Sequence, residues 1–315
     1  MNSTILENTT QDRYAEYFVR NFIVIVFGIT INSINGLLVF TFFRSSIFYN
    51  DPRYILYIHL VMNDMLMVFL TVIIFVMAYA WSNVPMPFCF ILLIIASTAH
   101  KNTPLTLAGM AIERYIAICK PLHHPQICTV RRTYILISLI WGVGVIPALA
   151  DFFLFLIVFP LSVLSKGTLC SIVILYSSPY HEIMSKFLLG LYTSAVWLIL
   201  VLTYCRVVVT ARRANTDKSL AKKAQSTILL HGLQLMLCML SYITPLIDRI
   251  YAPLSPYEQK KMVFFHYLLT NMMPRLLSPL IYGIRDKHFY KHMKGLFKCR
   301  LLIVKVKTTI DNHKK

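Results

Sequence analysis

The sequence predicts an all-α fold, a seven-transmembrane helix bundle with a short amphipathic eighth helix. Three observations carry that expectation. The 315 residues are 57% hydrophobic and only 14% charged, with a mean hydropathy of +0.64, too apolar for a water-soluble domain. Seven apolar runs reach the roughly 20 residues that a helix needs to cross the hydrocarbon core. The bases behind the net charge of +18 lie between and after those runs rather than on one face. They point to a lipid bilayer as partner and away from nucleic acid.

The runs cover residues 21–43, 54–80, 88–119, 134–159, 187–210, 224–250 and 262–283, here called spans 1 to 7. Residues 1–20 are polar and show no cleavable signal pattern, so span 1 is expected to act as its own insertion signal. The loop after span 1 carries Arg44 and Arg53, and the loop after span 3 carries Lys120, Arg131 and Arg132. Arg206, Arg212, Arg213, Lys218, Lys222 and Lys223 follow at the end of span 5, and the C-terminal tail is basic. The opposite loops hold chiefly Lys166, Lys186, Arg249, Lys260 and Lys261. The positive-inside rule then places the tail in the cytoplasm and the N-terminus outside. The glycosylation sequons at Asn2 and Asn8 precede span 1, on the same outer side. The expected organisation is a glycosylated extracellular segment 1–20, a bundle 21–283, and a cytoplasmic helix with basic tail 284–315. In that last part Phe289, Met293, Leu296 and Phe297 recur at i, i+4, i+7 and i+8, the pattern of a helix lying on the inner leaflet. Nothing alternates as a membrane barrel would, and no internal repeat suggests the duplicated halves of a transporter.

The seven cysteines sort by compartment. Cys89, at the outer start of span 3, and Cys170, between spans 4 and 5, face the oxidising side and are expected to pair; the alternative is two free thiols. Cys205 and Cys238 fall within spans and read as small core hydrophobes. Cys119, Cys128 and Cys299 lie at the cytoplasmic face, and Cys299 is a candidate for palmitoylation.

Span 3 ends on an acid–base–aromatic triplet, Glu113-Arg114-Tyr115. From Cys89 to Arg114 the helix is roughly 37 Å long at 1.5 Å per residue, enough to cross the bilayer with some tilt. Arg114 is either a snorkelling arginine at a helix end or one half of a switch that Glu113 holds in one state. The flanking residues favour the switch. Met110-Ala-Ile-Glu-Arg-Tyr-Ile-Ala-Ile-Cys119, followed by Lys120-Pro121-Leu122-His123-His124-Pro125, resembles the signature of vertebrate odorant receptors, of the rhodopsin-like G-protein-coupled receptor class. The glutamate and the Thr103-Pro104-Leu105-Thr106-Leu107-Ala108-Gly109 run are most like the teleost-fish type. Asn35-Gly36, Asp64, Trp141, Tyr204, Lys223-Ala224-Gln225-Ser226-Thr227 with His231, and Ser278-Pro279-Leu280-Ile281-Tyr282 extend the resemblance over essentially the whole chain.

The resemblance implies a small-molecule odorant bound within the bundle, outward movement of span 6, and admission of a heterotrimeric G protein that raises cyclic AMP, at the plasma membrane of olfactory sensory neuron cilia. Arg114, Tyr204 and Tyr282 would form the switch with Glu113 and Tyr115. Asp64 is an ionisable group inside an apolar span and demands a partner. Receptors of this class often hold a sodium ion there; here Arg275 is expected to supply the positive charge itself. His100 and Lys101 lie near mid-membrane, about 17–18 Å below Cys89. His100 is a candidate ligand contact on the inward stripe of span 3 with Ala96 and Thr103, and Lys101 points towards spans 4 or 5; together they would favour an anionic or hydrogen-bonding ligand. Met239, Tyr242 and Asn271 are further candidates, although ordinary packing explains any single one as well. Ala96 replaces the aspartate of amine receptors, and Met272 stands near the retinal lysine of visual pigments. Met239 also takes the place of the usual span 6 tryptophan. No cofactor and no metal cluster is expected. The absence of paired carboxylates or of a nucleophile beside a base argues against an enzyme. A transporter or channel, suggested by Asp64, Lys101 and Arg275, and a non-olfactory chemoreceptor are the alternatives.

Overall fold

The computed structural model describes residues 2–80, 84–158, 167–168, 170, 179–213, 232–233, 236–237, 239–240, 250–251, 253–279 and 289–295. Five helices among them are long and apolar enough to cross a membrane. Span 1 lies in helix Asn2–Arg44, span 2 in Pro52–Ala80, span 3 in Met86–Cys119, span 4 in Val130–Val158 and span 5 in Pro179–Arg213. Residues 232–233, 236–237 and 239–240 of span 6 are helical. Span 7 runs as Pro256–Tyr267, a π-helical turn Leu268–Met272, and Met273–Pro279. The eighth helix is described over 289–295.

Several helices start earlier than hydropathy suggests, because polar caps extend them past the apolar run. Asp51 caps span 2, its Oδ1 accepting from the Arg53 N–H at 3.0 Å while Pro52 takes the first helical position. Thr129 Oγ1 accepts from the Arg132 N–H and starts span 4 at Val130. Ser255 Oγ accepts from the Glu258 N–H at 3.3 Å, so span 7 opens at Pro256 rather than 262. Span 3 stops at Cys119, ahead of Pro121.

Span 3 packs against spans 2, 4 and 5, and span 7 packs against spans 1 and 2. Near the disulfide, Phe90 meets Phe152 edge-on and Phe155 at a tilt in an outer core. Val84–Pro85 pairs antiparallel with Gly167–Thr168 beside it, a two-residue strand pair that an all-helical reading overlooks. The opposite end holds a larger core in which Leu60, Leu107, Leu200 and Met239 meet. Phe289, 0% exposed, enters that core against Phe48, Tyr54 and Tyr57. The apolar stripe of the eighth helix is therefore partly spent on protein and not on the membrane surface alone; burying one such phenylalanine stabilises the dock by roughly 1.5–3 kcal/mol. Leu296, Phe297 and Cys299 lie outside the described residues.

Candidate functional site

The polar groups of span 3 fall at three levels. At one end Cys89 and Cys170 form a disulfide with Cα atoms 5.5 Å apart, tying the 167–170 segment to the head of span 3. Ala96, one of the candidate ligand contacts, is half-buried and packs with this outer core.

At the middle level Asp64 is 1% exposed and engaged on both oxygens. Thr103 Oγ1 donates to its Oδ1 at 3.2 Å, Ser278 Oγ donates to its Oδ2 at 3.0 Å, and Arg275 Nε lies 3.8 Å from Oδ1. Arg275 is itself buried and donates through Nη1 to the Asn271 carbonyl. Beside this group Asn63 Nδ2 donates to the Ala99 carbonyl at 2.8 Å and to Thr103 Oγ1 at 3.0 Å. Spans 2, 3 and 7 are thus joined at one buried carboxylate. His100 and Lys101 are half-buried next along span 3. The Lys101 carbonyl accepts from the Tyr192 hydroxyl at 2.6 Å, so this turn of span 3 faces span 5. Asn271 is half-buried, its Nδ2 donating to Thr270 Oγ1. Met239 is 2% exposed inside the inner core, where it acts as packing. Tyr242 lies outside the described residues.

A second, partly buried chain of hydrogen bonds has no counterpart in the sequence reading. Trp141 Nε1 donates to His59 Nε2 at 2.9 Å, which fixes the His59 proton on Nδ1. That nitrogen lies 3.2 Å from Thr106 Oγ1, whose own proton goes to the Asn102 carbonyl at 2.8 Å. Spans 2, 3 and 4 meet here. An isolated histidine in an apolar span followed by a tryptophan elsewhere was the available signal.

At the third level Glu113 has a partner besides the adjacent charge of Arg114. Glu113 is 6% exposed and its Oε1 lies 2.8 Å from His124 Nε2, in the short helix His124–Ile127. Neighbouring residues on a helix point about 100° apart, so one side chain turns to the loop and the other into the bundle. Around this pair, burial pushes the Asp51 carboxyl up, but the hydrogen bonds and charge of Arg53 outweigh it and hold the group below the usual range. Burial pushes the Cys128 thiol up, and Glu113 adds to that shift. Arg114 lines a cavity of about 240 Å³ between spans 3, 5 and 6. Tyr204, 39% exposed, lines the same cavity, as do Trp197, Leu200 and Met236. Tyr115 is half-buried, and Tyr282 lies outside the described residues. Cys119 Sγ donates to Thr210 Oγ1 at 3.2 Å, closing spans 3 and 5 together at their ends. Cys205 is exposed and borders the cavity, which corrects its reading as a core hydrophobe. Among the described residues no group of three or more His, Cys, Asp or Glu is placed to hold a metal.

Residues 34–282 match the family described as 7 transmembrane receptor (rhodopsin family). The chain is 32% identical to odorant receptor 131-2 of Danio rerio over 287 residues, 88% of this chain and 87% of that relative. It is 31% identical to human olfactory receptor 2D2 over 58% of each chain, and 24% identical to human olfactory receptor 2AJ1 over 93% of this chain and 89% of the other. The chain is a multi-pass membrane receptor rather than an enzyme, and it belongs to the odorant receptors of the rhodopsin family of seven-transmembrane receptors.

Proposed function

We propose that this receptor binds a small-molecule odorant inside the bundle and activates a stimulatory olfactory G protein, raising cyclic AMP. The observation that supports this best is the arrangement of span 3. One helix carries the half-buried His100 and Lys101 at mid-depth and, about 20 Å further on at 1.5 Å per residue, the arginine that lines the cavity between spans 5 and 6. A ligand at the first level and a G protein at the second would then act on the same rigid element. Glu113, Arg114, Tyr115, Tyr204 and Tyr282 form the switch in this reading. His100, Lys101, Ala96, Tyr242 and Asn271 face the ligand, with Met239 as the packed residue beneath it.

In the same reading residues 1–20, with glycans at Asn2 and Asn8, lie outside; residues 284–315 lie in the cytoplasm; and the receptor works in olfactory cilia. His100 and Lys101 on the ligand side favour an odorant bearing a carboxylate. Arg275 serves as the cation of Asp64 in place of a sodium ion. The test is a cyclic-AMP reporter screen of the expressed receptor against acids, aldehydes, steroids and amino acids, with Lys101→Ala and His100→Ala alongside. Responses to acids that both variants weaken are expected. Ligand-evoked currents in cells without the G protein would overturn the proposal.

A further inference from the structure

The helix that links the two levels has a weak point between them. Pro104 lies inside Met86–Cys119, three residues beyond Lys101 and ten before Arg114. A proline has no N–H, so it offers the His100 carbonyl no intrahelical bond, and its ring crowds that same carbonyl. In hydrocarbon no water takes over such a break, so the backbone around it needs donors from neighbouring spans. A bend there matters at a distance. Cys119, at the end of span 3, lies about 22 Å beyond Pro104, and a change of ~10° at the break moves it by about 4 Å. That exceeds what the bond from Cys119 Sγ to Thr210 of span 5 tolerates.

The carbonyls on either side of the break are held by side chains of two other spans. Asn63 Nδ2, from span 2, donates to the Ala99 carbonyl at 2.8 Å. The Tyr192 hydroxyl, from span 5, donates to the Lys101 carbonyl at 2.6 Å. At 100° per residue, positions 99 and 101 lie about 200° apart around the helix, so the two donors grip nearly opposite sides. Asn63 is 2% exposed and also donates to Thr103 Oγ1, which is bonded to Asp64. The span 2 side is thus fastened into the buried carboxylate network. On the span 5 side the donor is the tip of a half-buried tyrosine, twelve residues before Tyr204 on the same helix.

We propose that Tyr192 is a positioning residue whose hydroxyl splints span 3 across Pro104, so that the level of His100 and Lys101 and the level of Arg114 move as one lever. Its signalling role rests on the function proposed above, in which span 3 joins ligand to G protein; the splint itself does not. The test compares the parent, Tyr192→Phe, Pro104→Ala and the double variant as full-length receptor in phosphatidylcholine nanodiscs. Mass spectrometry reads amide hydrogen exchange over residues 98–108 and alkylation of Cys119 by iodoacetamide. Tyr192→Phe keeps the ring and should speed both about five-fold, the factor that one hydrogen bond supplies. Pro104→Ala returns an N–H to the His100 carbonyl, so the double variant should stay within about two-fold of the parent. Pro104→Leu restores the same N–H and serves if thermal unfolding shows the alanine variant misfolded. Unchanged rates in Tyr192→Phe, or equal acceleration with and without Pro104, would overturn the proposal. Faster exchange over the whole chain, or faster exchange at 98–108 with Cys119 unaffected, would overturn it too. Because neither ligand nor G protein takes part, such a failure leaves the receptor function untouched.

Discussion

Removing one partner of the buried Asp64–Arg275 pair should cost far more than removing both. The charges are 3.8 Å apart, with side chains 1% and 6% exposed. At that separation Coulomb attraction is about 4 kcal/mol with an effective dielectric near 20. Arg275→Met leaves the carboxylate with only the hydroxyl donors of Thr103 and Ser278. Asp64→Asn leaves a guanidinium facing the Asn271 carbonyl with no opposite charge in contact. Each single change should therefore destabilise by about 3–5 kcal/mol, the usual consequence of an uncompensated buried charge. The double variant Asp64→Asn/Arg275→Met buries neither charge. It should recover roughly 2–4 kcal/mol relative to the sum, of the order of the Coulomb term. The assay is thermal unfolding of the four receptors in one detergent, with surface expression as a second reading. Additivity within about 0.5 kcal/mol, the behaviour of independent sites, would refute the idea that the two residues act as a pair.

Three further predictions are smaller in scope. Reducing the Cys89–Cys170 disulfide, which closes a separation of 81 residues, should destabilise by roughly 4 kcal/mol, and Cys89→Ser, Cys170→Ser and the double variant should unfold alike. Gly144→Ala would put a Cβ 2.6 Å from Asn102 Oδ1 and 3.2 Å from Thr98 Cγ2, so it should cost about 1–3 kcal/mol; Gly142→Ala, with nothing within 4 Å, should be neutral or stabilising by up to ~1 kcal/mol. Asp51 has a lowered carboxyl pKa, so its contribution is present above the unfolded pKa near 4 and fades as pH falls through the folded value. The stability difference between parent and Asp51→Asn should stay under about 1 kcal/mol at pH 7, Arg53 being well exposed, and shrink on acidification; growth of the difference would contradict the assignment.

How much of this was legible follows from what each signal measures. Hydropathy found the spans because the bilayer demands apolar length, but it placed the start of span 7 at 262. The capping pair Ser255 and Glu258, polar and therefore invisible to hydropathy, starts the helix six residues earlier. Asp64 announced that it needed a partner, and Arg275 one turn before Pro279 was a legible choice because an apolar interior offers few cations. The contact of Glu113 with His124 has no signal in sequence adjacency, because the turn at Pro121 is what brings His124 back to the end of span 3. The stripe through Phe289 gave the apolar face of the last helix; it could not say whether lipid or the Phe48 loop covers that face. Cys205 erred for the same reason, since lipid and protein core select similar residues.

The π turn in span 7 had no sequence signal, yet it decides where Arg275 points. The N–H of Met273 bonds to the carbonyl of Leu268, five residues back instead of four, so the turn carries one extra residue. In a regular α-helix each residue advances about 100°, and that extra residue would rotate everything beyond it by the same angle. The π turn absorbs the surplus. The face of Pro256–Tyr267 and the face bearing Arg275 and Ser278 thereby keep a fixed relation, with both of the latter reaching Asp64. Deleting the exposed Leu269 should then convert the turn to α-helix while leaving both faces where they are, and the variant should still fold and reach the surface. Deleting Leu139, still more exposed, from the α-helix of span 4 rotates one half of that span against the other and should abolish folding. If the Leu269 deletion proves as damaging as the Leu139 deletion, span 7 has no slack to give, and the orientation of Arg275 must rest on the tertiary contacts of Asp64 alone.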